Sequence, residues 1–544
     1  MCADTIIQNG NIYTMNDSNP QVHELAIKDG KIVSVGEKAK DWQGENTKVI
    51  DAGGRTILPG IIESHAHPII YAADLLLLDL RPEAAPTIDD ILIKVKERSQ
   101  EIPKGEWIIG HGWDEGRLKD KRFPTLKELT EVAPDHPVIL QRQCKHNAVV
   151  NKKALEASNL PENPKDPDGG RFLRDKETGE FNGYAQENAA KMFHIPEPAP
   201  EQLKEAFKES QKQFLKWGIT TAHDMAVNVE QMKVYQELYN DQILDMKIRL
   251  WIWGITQTGF QGYEEEMFSL GLQSGFGDDR LNIQGMKYML DGGVGGRSAA
   301  FSDSFEGESD NHGVLYMNQE KINHHVRRSI ENGLRVSIHA IGDLAIEQAV
   351  TAIENAGDQD LIRSMRNRIE HCCLPSDNHL ERIADNNIVA GSSIGFIYSL
   401  GESYLLNLGK ERTSKAFPQA SFKNYGIVAP GNSDMPICNG NPFLGMYAAI
   451  TRKTVGGQAC GEEEKISAED ALKAYTRDAA YSGFDENLIG SLEVGKHADL
   501  IVINEDPLEI EKEDIKDLEV ELTMVEGQVK YEKIRNKEHH TILG

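Results

Sequence analysis

Cysteine is scarce in this chain of 544 residues, which has only six, and none of them forms a Cys-x-x-Cys pair. Such sparse use in a long chain excludes a disulfide framework and predicts reduced thiols. Cys372 and Cys373 directly follow His371, and we interpret them as packed strand residues, with a thiolate metal ligand as the alternative. The cysteines are Cys2, Cys144, Cys372, Cys373, Cys438 and Cys460.

Positive charge is also in short supply. The 59 lysines and arginines stand against 86 acidic residues and leave a formal net charge of −27. Phosphate-bearing partners need concentrated positive charge, so nucleic acid and anionic membranes are excluded as main partners. No run approaches the roughly 18 apolar residues of a membrane span. The N-terminus has neither the basic region nor the apolar core of a signal peptide, so we expect a cytoplasmic protein.

The length fits one large barrel with attached modules, or two to four domains. Both ends of the chain are rich in β-forming residues, which at the N-terminal end surround Asn-Gly and Asp-Gly turns. Neither end alone has enough strands for a stable core. The sequence therefore predicts one composite β-sandwich, made of residues 1–57 and 485–544.

Residues 58–484 alternate short β-rich runs with amphipathic helical stretches, the pattern of a parallel α/β sheet or barrel. Eight parallel strands with helices between them close as a (β/α)₈ TIM barrel, with its chemistry at the C-terminal strand ends. The predicted fold class is therefore α/β. The predicted strands are 61–64, 219–222, 248–253, 283–290, 335–339, 368–371, 388–391 and 427–431.

One gap between strands is too long. A βα unit takes roughly 30–40 residues, whereas residues 65–218 separate the first two predicted strands. The excess, about residues 75–200, is predicted to be an insertion on the catalytic face, where a lid or pocket wall is its natural role. Its Trp113 and Asp114 are candidate pocket-wall residues, and Trp113 is alternatively a packing residue of the insertion itself.

Two histidines one residue apart, His65 and His67, lie in the run Pro59-Gly-Ile-Ile-Glu-Ser-His-Ala-His-Pro68. On a β-strand, residues i and i+2 point to the same face, so both imidazoles can aim at one metal ion. Alone the pattern is weak, because a solvated or hydrogen-bonded pair explains it as well.

Four further candidate ligands fall at the ends of later predicted strands. Side chains at the C-terminal ends of barrel strands converge on one central spot, where with the two histidines they would give two divalent ions a full set of ligands. Each alone has an ordinary interpretation as an ion-paired lysine, a core histidine or a turn aspartate. Their joint occurrence at successive strand ends argues against that. They are Lys287, His339, His371 and Asp434.

Lysine is an unusual metal ligand, because its ammonium group repels a cation. A buried lysine loses its proton readily. The neutral amine of Lys287 can then react with carbon dioxide to form a carbamate. That anionic, carboxylate-like group is able to bridge two metal ions.

The metal-ligand runs and the closing Gly495-Lys-His-Ala-Asp-Leu-Ile-Val resemble the metal-dependent amidohydrolase superfamily. The resemblance covers essentially the whole chain and is closest to amidohydrolase family 3, the group that includes N-substituted formamide deformylases. It implies a composite β-sandwich, a (β/α)₈ barrel and a binuclear, usually zinc (Zn²⁺), centre with a carboxylated lysine. The motifs that carry it are Gly110-His-Gly-Trp-Asp, His146-Asn-Ala-Val-Val-Asn, Gly218-Ile-Thr-Thr-Ala-His-Asp, Lys287-Tyr-Met-Leu-Asp-Gly, His339-Ala-Ile-Gly-Asp and Ile369-Glu-His.

The resemblance implies a hydrolase that cleaves a C–N amide-type bond of a small molecule by attack of a metal-bridging hydroxide. Asp434 would act as general base and pass the proton to the leaving amine. One departure bears on the substrate: many relatives have Gln-Pro after the seventh strand, where this chain has Ala390-Gly-Ser-Ser-Ile-Gly. The ligands divide into His65, His67 and Asp434 for the first ion, His339 and His371 for the second, and carboxylated Lys287 between them.

Three more residues are candidates for contact with the substrate. His146, from the insertion, is the first candidate to stabilise the tetrahedral oxyanion. His223, at the end of the second strand, is a candidate for substrate contact or for positioning a ligand. Arg297 would pair with an anionic substrate group. Each has a structural alternative, which for Arg297 is to hold its loop.

Two other functions stay open at this point. A mononuclear deaminase of an amino-heterocycle usually has a glutamate shortly after the fifth-strand histidine, where this chain has Ala340-Ile-Gly-Asp-Leu-Ala. A non-catalytic scaffold of the same fold is expected to have lost ligands, and all six are present here. The substrate is open among formamides, acylated amines, cyclic amides and esters. A homodimer is the expected oligomeric state, because dimers are the commonest oligomers of soluble proteins.

Overall fold

The structure is a computed structural model, and it describes residues 2–142, 147–167, 169–257 and 260–533. The chain divides into two compact units. The main unit consists of Met1–Tyr71 with Phe207–Gly544, and the inserted unit consists of Ala72–Ala206. No helix in the described part of the chain is both long enough and apolar enough to cross a membrane.

The strands are numbered along the chain. They are β1 (Thr5–Gln8), β2 (Asn11–Tyr13), β3 (Gln21–Val22), β4 (Leu25–Lys28), β5 (Lys31–Val35), β6 (Lys48–Asp51), β7 (Thr56–Pro59), β8 (Ile61–Ala66), β9 (Leu78–Asp79), β10 (Ile108–Trp113), β11 (Val138–Arg142), β12 (Asn147–Val150), β13 (Gly170–Arg174), β14 (Phe181–Glu187), β15 (Ile219–Val227), β16 (Lys247–Trp253), β17 (Leu281–Met289), β18 (Arg335–Ala340), β19 (Arg368–His371), β20 (Val389–Gly391), β21 (Leu500–Ile503), β22 (Val520–Val525) and β23 (Gln528–Glu532).

The α-helices are numbered in the same way. They are α1 (Pro68–Leu75), α2 (Ile88–Glu101), α3 (Leu126–Val132), α4 (Lys152–Ala157), α5 (Pro200–Lys216), α6 (Val229–Asn240), α7 (Glu264–Leu270), α8 (Gln319–Glu331), α9 (Asp343–Glu354), α10 (Gln359–Met365), α11 (Asp377–Asp385), α12 (Gly395–Ser414), α13 (Gln419–Asn424), α14 (Pro442–Thr451), α15 (Ala468–Ala474) and α16 (Arg477–Ser482).

A seven-stranded, nearly closed parallel sheet forms the centre of the main unit, in the order β20-β19-β18-β17-β16-β15-β8. It confirms seven of the predicted barrel strands and the α/β class. The eighth predicted strand, 427–431, is wrong: the segment makes single backbone bonds, Ala390 N to Val428 O at 3.0 Å and Gly431 N to Ala474 O at 3.1 Å, but no ladder. Pro430 lacks an N–H, so it cannot donate to such a ladder.

Helices cover the outside of this sheet. α9 buries one stripe of small and branched apolar side chains, including Ala345, Ile346, Ala349 and Ile353, and it packs against β18 and β19. The spacing of these residues at three and four positions places them on one helical face, which the outward-facing strand residues cover. The amphipathic helical pattern predicted between the strands is therefore present in α9.

The two ends of the chain contribute to the same sheet. β21, near the C-terminus, pairs antiparallel with β7, near the N-terminus, within the order β23-β22-β21-β7-β2-β3. A second sheet has the order β5-β4-β1-β6. Apolar side chains from both sheets share one core, which includes Ile7, Leu25, Ile27, Ile57, Leu500 and Leu522.

The inserted unit has its own sheet and core. Its strand order is β13-β14-β12-β11-β10-β9, and α2, α3 and α4 belong to the same unit. α2 begins with a capping box, in which the Thr87 side chain accepts from Asp90 N and the Asp90 side chain accepts from Thr87 N. The role of the inserted unit as a lid or pocket wall stays a prediction.

Leu500→Ala should destabilise the main unit, because Leu500 is fully buried in the core that the two chain ends share. Removing a buried leucine side chain leaves a cavity, so we expect the free energy of unfolding to fall by about 2–5 kcal/mol. Urea unfolding measures the change. Val494→Ala, at a side chain that is 65% exposed, is the control, and equal effects of the two variants would contradict the shared core.

Candidate metal centre

The predicted ligands lie at one edge of the parallel sheet. His65 is in β8 and His67 follows its end, while Lys287 is in β17, His339 is in β18 and His371 ends β19. Because these strands are parallel, their C-terminal ends share this edge. These five ligands are therefore placed by the ends of four strands, β8, β17, β18 and β19.

Asp434 completes the group from the segment that follows the failed eighth strand. Its Oδ1 lies 3.1 Å from His67 Nε2 and 3.4 Å from His65 Nε2. The ligand atoms of His65, His371 and Asp434 all lie within 4.8 Å of one another. The His371 ring centroid is 5.0 Å from that of His65 and 4.5 Å from that of His339. The structure thus brings together five of the six predicted ligands by direct measurement.

Lys287 faces the same group. Its side chain is 3% exposed, and no described residue hydrogen-bonds its Nζ. Burial lowers the pKa of Lys287 to about 8, although the charges of Glu370 and Asp434 act in the opposite direction. A lowered pKa increases the fraction of neutral amine at neutral pH, which is the form that carbamate formation requires. A buried nitrogen without a partner is also costly.

The protonation states suit a cation. Burial lowers the pKa of His65 to about 4 and holds the pKa of His371 well below its usual range. Burial acts to raise the pKa of Asp434, but His65 and His67 hold it well below the usual range. At neutral pH these two rings are neutral and the carboxylate is ionised, which are the forms that bind a divalent metal.

A buried carboxylate orients His65. Its Nδ1 donates to Glu370 Oε2 at 2.7 Å, which leaves Nε2 directed at Asp434. Glu370 Oε1 in turn accepts from Arg368 Nε at 2.6 Å and from Ser337 Oγ at 2.8 Å. A carboxylate behind a metal-ligating imidazole fixes its tautomer and raises its basicity.

The rings of His67 and His371 are likewise held through Nδ1. His67 Nδ1 donates to Met225 O at 2.6 Å. His371 Nδ1 lies 2.8 Å from Ser393 Oγ, which donates to Asn432 Oδ1 at 2.8 Å, so the ring N–H donates to the serine. Both rings therefore have Nε2 available as a ligand atom.

His339 is turned differently. Its Nε2 lies 3.3 Å from Gly292 O and 3.4 Å from Asp291 Oδ1. Nδ1 is the nitrogen that this orientation leaves for a metal.

Two of the predicted ligands, His371 and Asp434, have left-handed backbone, with φ of 67° and 54°. Such angles are disfavoured for residues other than glycine and cluster at functional sites.

The donor set fits a divalent metal ion. Imidazole nitrogens and a carboxylate are the ligands of catalytic zinc sites, and His65, His371 and Asp434 supply both types in their metal-binding protonation states. The residues described above would hold the metal, and the arrangement suits activation of a water molecule for hydrolysis.

Two further predicted residues of the main unit are occupied by structural contacts. His223 Nδ1 accepts from Arg368 Nη1 at 3.2 Å and from Trp251 Nε1 at 3.4 Å, and the ring is fully buried. Arg297 donates through Nε to Asn407 Oδ1 at 2.8 Å and also pairs with Glu308. These contacts are those expected if His223 and Arg297 have structural roles, which was the alternative for each. Their contact with substrate stays a prediction.

The predicted pocket-wall residues lie in the inserted unit. Trp113 is fully buried, donates from Nε1 to Leu140 O at 2.9 Å and packs edge-on against Tyr184. It is thus a core residue of that unit, as the packing alternative predicted. Asp114 accepts from Arg142 at 3.1 Å. His146, the candidate for the oxyanion contact, lies outside the described residues, as does Cys144.

Sequence reasoning missed the residues behind the ligands. Glu370 and Ser393 bond the outer nitrogens of His65 and His371, although Glu370 immediately precedes one of the predicted ligands. A buried carboxylate in an Arg-Ile-Glu-His strand was the signal that could have found it, since charged residues in a buried strand need partners.

The comparisons with known proteins identify the family of the chain. The sequence matches the model of the amidohydrolase family over residues 48–531. This chain belongs to the amidohydrolase family, and the predicted resemblance is confirmed.

Similarity to individual proteins extends over the full length. The chain is 30% identical to YtcJ of Bacillus subtilis, a protein named as an amidohydrolase, over 96% of this chain and 98% of that protein. It is 26% identical to an N-substituted formamide deformylase of Arthrobacter pascens, over 97% and 98% of the two chains. A metal-dependent hydrolase from Pyrococcus horikoshii superposes with a TM-score of 0.76 and 27% identity, covering 94% of this chain and 99% of that one.

Glu370→Ala should weaken the affinity for a divalent metal by about 10–100-fold, because His65 loses the acceptor that orients it. Competition with a chromophoric chelator on metal-depleted protein measures the affinity. Ser337→Ala removes one donor to Glu370 and keeps the carboxylate, so its effect should be smaller. Wild-type affinity in a folded Glu370→Ala protein would contradict the orienting role.

Proposed function

We propose that the protein hydrolyses a C–N amide-type bond of a small molecule with the help of bound metal. The observation that carries the proposal is the convergence of His65, His371 and Asp434 within 4.8 Å, beside the buried amine of Lys287. Membership of the amidohydrolase family supports a hydrolase. The name of the formamide deformylase relative supports a bond between a carbonyl carbon and nitrogen.

The proposed metal content is two divalent ions, with zinc favoured by the nitrogen and oxygen donors. Such ions, when bound, lower the pKa of water and polarise a carbonyl. Lys287 would contribute as a carbamate, for which its lowered pKa and unpartnered Nζ provide the support. The proposed ligands are His65, His67 and Asp434 for one ion, His339 and His371 for the other, and Lys287 between them.

Asp434 is the proposed proton carrier. Its Oδ1 faces His65 and His67, and its lowered pKa keeps the carboxylate ionised at neutral pH. It would take the proton of the attacking water and deliver it to the amine nitrogen as the C–N bond breaks. Glu370, through His65, would keep the imidazole fixed during this transfer.

Asp434→Asn should reduce turnover by about 10²–10⁴-fold, the usual contribution of a general acid–base group. The assay uses a panel of N-formyl amines, N-acyl amines, cyclic amides and matched esters, with metal content recorded by mass spectrometry. Asp343→Asn, at the start of α9, is the matched control and should retain activity. Retained activity in Asp434→Asn would remove it as the base.

Lys287→Ala should lower the metal content from about two ions per chain, the number that a bridged pair requires, to one or fewer. Added bicarbonate should speed the metal uptake of depleted wild-type protein and leave this variant unchanged, because only the wild type has the amine. Unchanged metal content and turnover in Lys287→Ala would contradict the bridge.

A further inference from the structure

No β-ladder joins β20 to β8, the two edge strands of the nearly closed sheet. Between them, where an eighth strand was predicted, lies the loop that connects α13 to α14 and contains Asp434. Two backbone bonds join this loop to the end of β8: Asp434 N donates to His65 O at 3.0 Å, and His67 N donates to Met435 O at 2.8 Å. Side chains of β8 make further bonds to this loop, and those of Glu63 reach the residue directly before Asp434.

Glu63 supplies a second attachment. Its carboxyl group is completely buried, and Oε1 accepts from Ser433 N at 3.0 Å while Oε2 accepts from Ser433 Oγ at 2.9 Å. Oε1 also lies 3.4 Å from the donor His65 N. One side chain therefore contacts the residue before Asp434 and the backbone of His65 at the same time.

The contact between Glu63 and Ser433 lies close in the chain to two of the predicted metal ligands. Glu63 lies two positions before His65 on β8, so both side chains leave the strand on the same face. Ser433 lies directly before Asp434, whose φ of 54° is disfavoured for a residue with a side chain. A bond that fixes Ser433 on both its N–H and its hydroxyl holds the neighbouring residue in this conformation.

We propose that Glu63 and Ser433 form a clamp that sets the distance between the Asp434 carboxylate and the imidazoles of His65 and His67. Glu63 is a positioning residue: it acts on the metal through Asp434 and does not bind it. The inference rests on the proposed function only in its assumption that these three residues bind the same metal ion.

The clamp makes different predictions from a buried carboxyl group that only stabilises the fold. A glutamine at position 63 retains the geometry, since its oxygen can accept from the two backbone N–H groups and its NH₂ can donate to Ser433 Oγ. An alanine removes every contact. Ser433→Ala removes the hydroxyl and keeps the backbone N–H bond.

The test measures metal binding on metal-depleted protein, with cobalt(II) as the probe because its visible spectrum reports ligand geometry. Glu63→Ala should bind cobalt at least about tenfold more weakly, as is typical when a residue behind a ligand is lost, with an altered spectrum. Ser433→Ala should lie between this variant and the wild type. Glu63→Gln should restore both affinity and spectrum to near the wild-type values.

Glu264→Ala is the matched control. Glu264 is also a buried acidic residue, but it bonds Tyr288 Oη at 3.0 Å and His325 Nδ1 at 2.8 Å. Tyr288 follows Lys287 on β17, so its side chain leaves the strand on the opposite face. Its loss should leave the cobalt spectrum unchanged. If Glu63→Ala fails to fold, the order of Ser433→Ala, Glu63→Gln and wild type decides the question.

A cobalt affinity and spectrum like those of the wild type in Ser433→Ala and in folded Glu63→Ala would overturn the clamp. So would a Glu63→Gln protein that behaves like the alanine variant. Because no substrate is used, the result is independent of the reaction: absence of amide turnover in wild-type protein with normal cobalt binding would overturn the proposed function and leave the clamp standing.

Discussion

The structure depends on one electrostatic constraint, the burial of several imidazoles, an amine and a carboxylate around a single point. Taking such groups out of water is unfavourable unless each one finds a partner. The hydrogen bonds of His65 to Glu370 and of His371 to Ser393 satisfy the outer nitrogens. The inner atoms, above all Lys287 Nζ, are left facing one another. A divalent cation satisfies this inner set at once, which is why we assign the site to a metal.

The parallel sheet makes this arrangement possible because the ligands come from the ends of four of its strands and from the loop between β20 and β8. Strand register then sets the distances, and the backbone strain at His371 and Asp434 is the local price of bringing their side chains inward. Where no β-ladder is formed, side chains of β8 bond to the loop. Ser64 Oγ donates to Gly431 O at 2.9 Å, next to the bonds of Glu63 with Ser433. The same contacts that complete the sheet therefore position the carboxylate.

Much of this could be predicted from local sequence, because strand-end histidines and period-two alternation are local signals. His65 and His67 illustrate this, since one spacing rule placed both rings. The absence of the eighth strand could not be predicted, because the apolar run of residues 427–431 resembles the other seven and only Pro430 and the missing partners distinguish it. Glu370 and Glu63 escaped notice because their roles depend on contacts with residues hundreds of positions away, which no local pattern encodes.

Crystals grown with zinc and measured on both sides of the zinc absorption edge test the central claim most directly. The account predicts two anomalous peaks, one beside His65, His67 and the Asp434 carboxylate and one beside His339 and His371. It also predicts continuous density from Lys287 Nζ toward the two peaks. Well-ordered crystals in which zinc binds elsewhere, with these side chains contacting only protein and water, would contradict it.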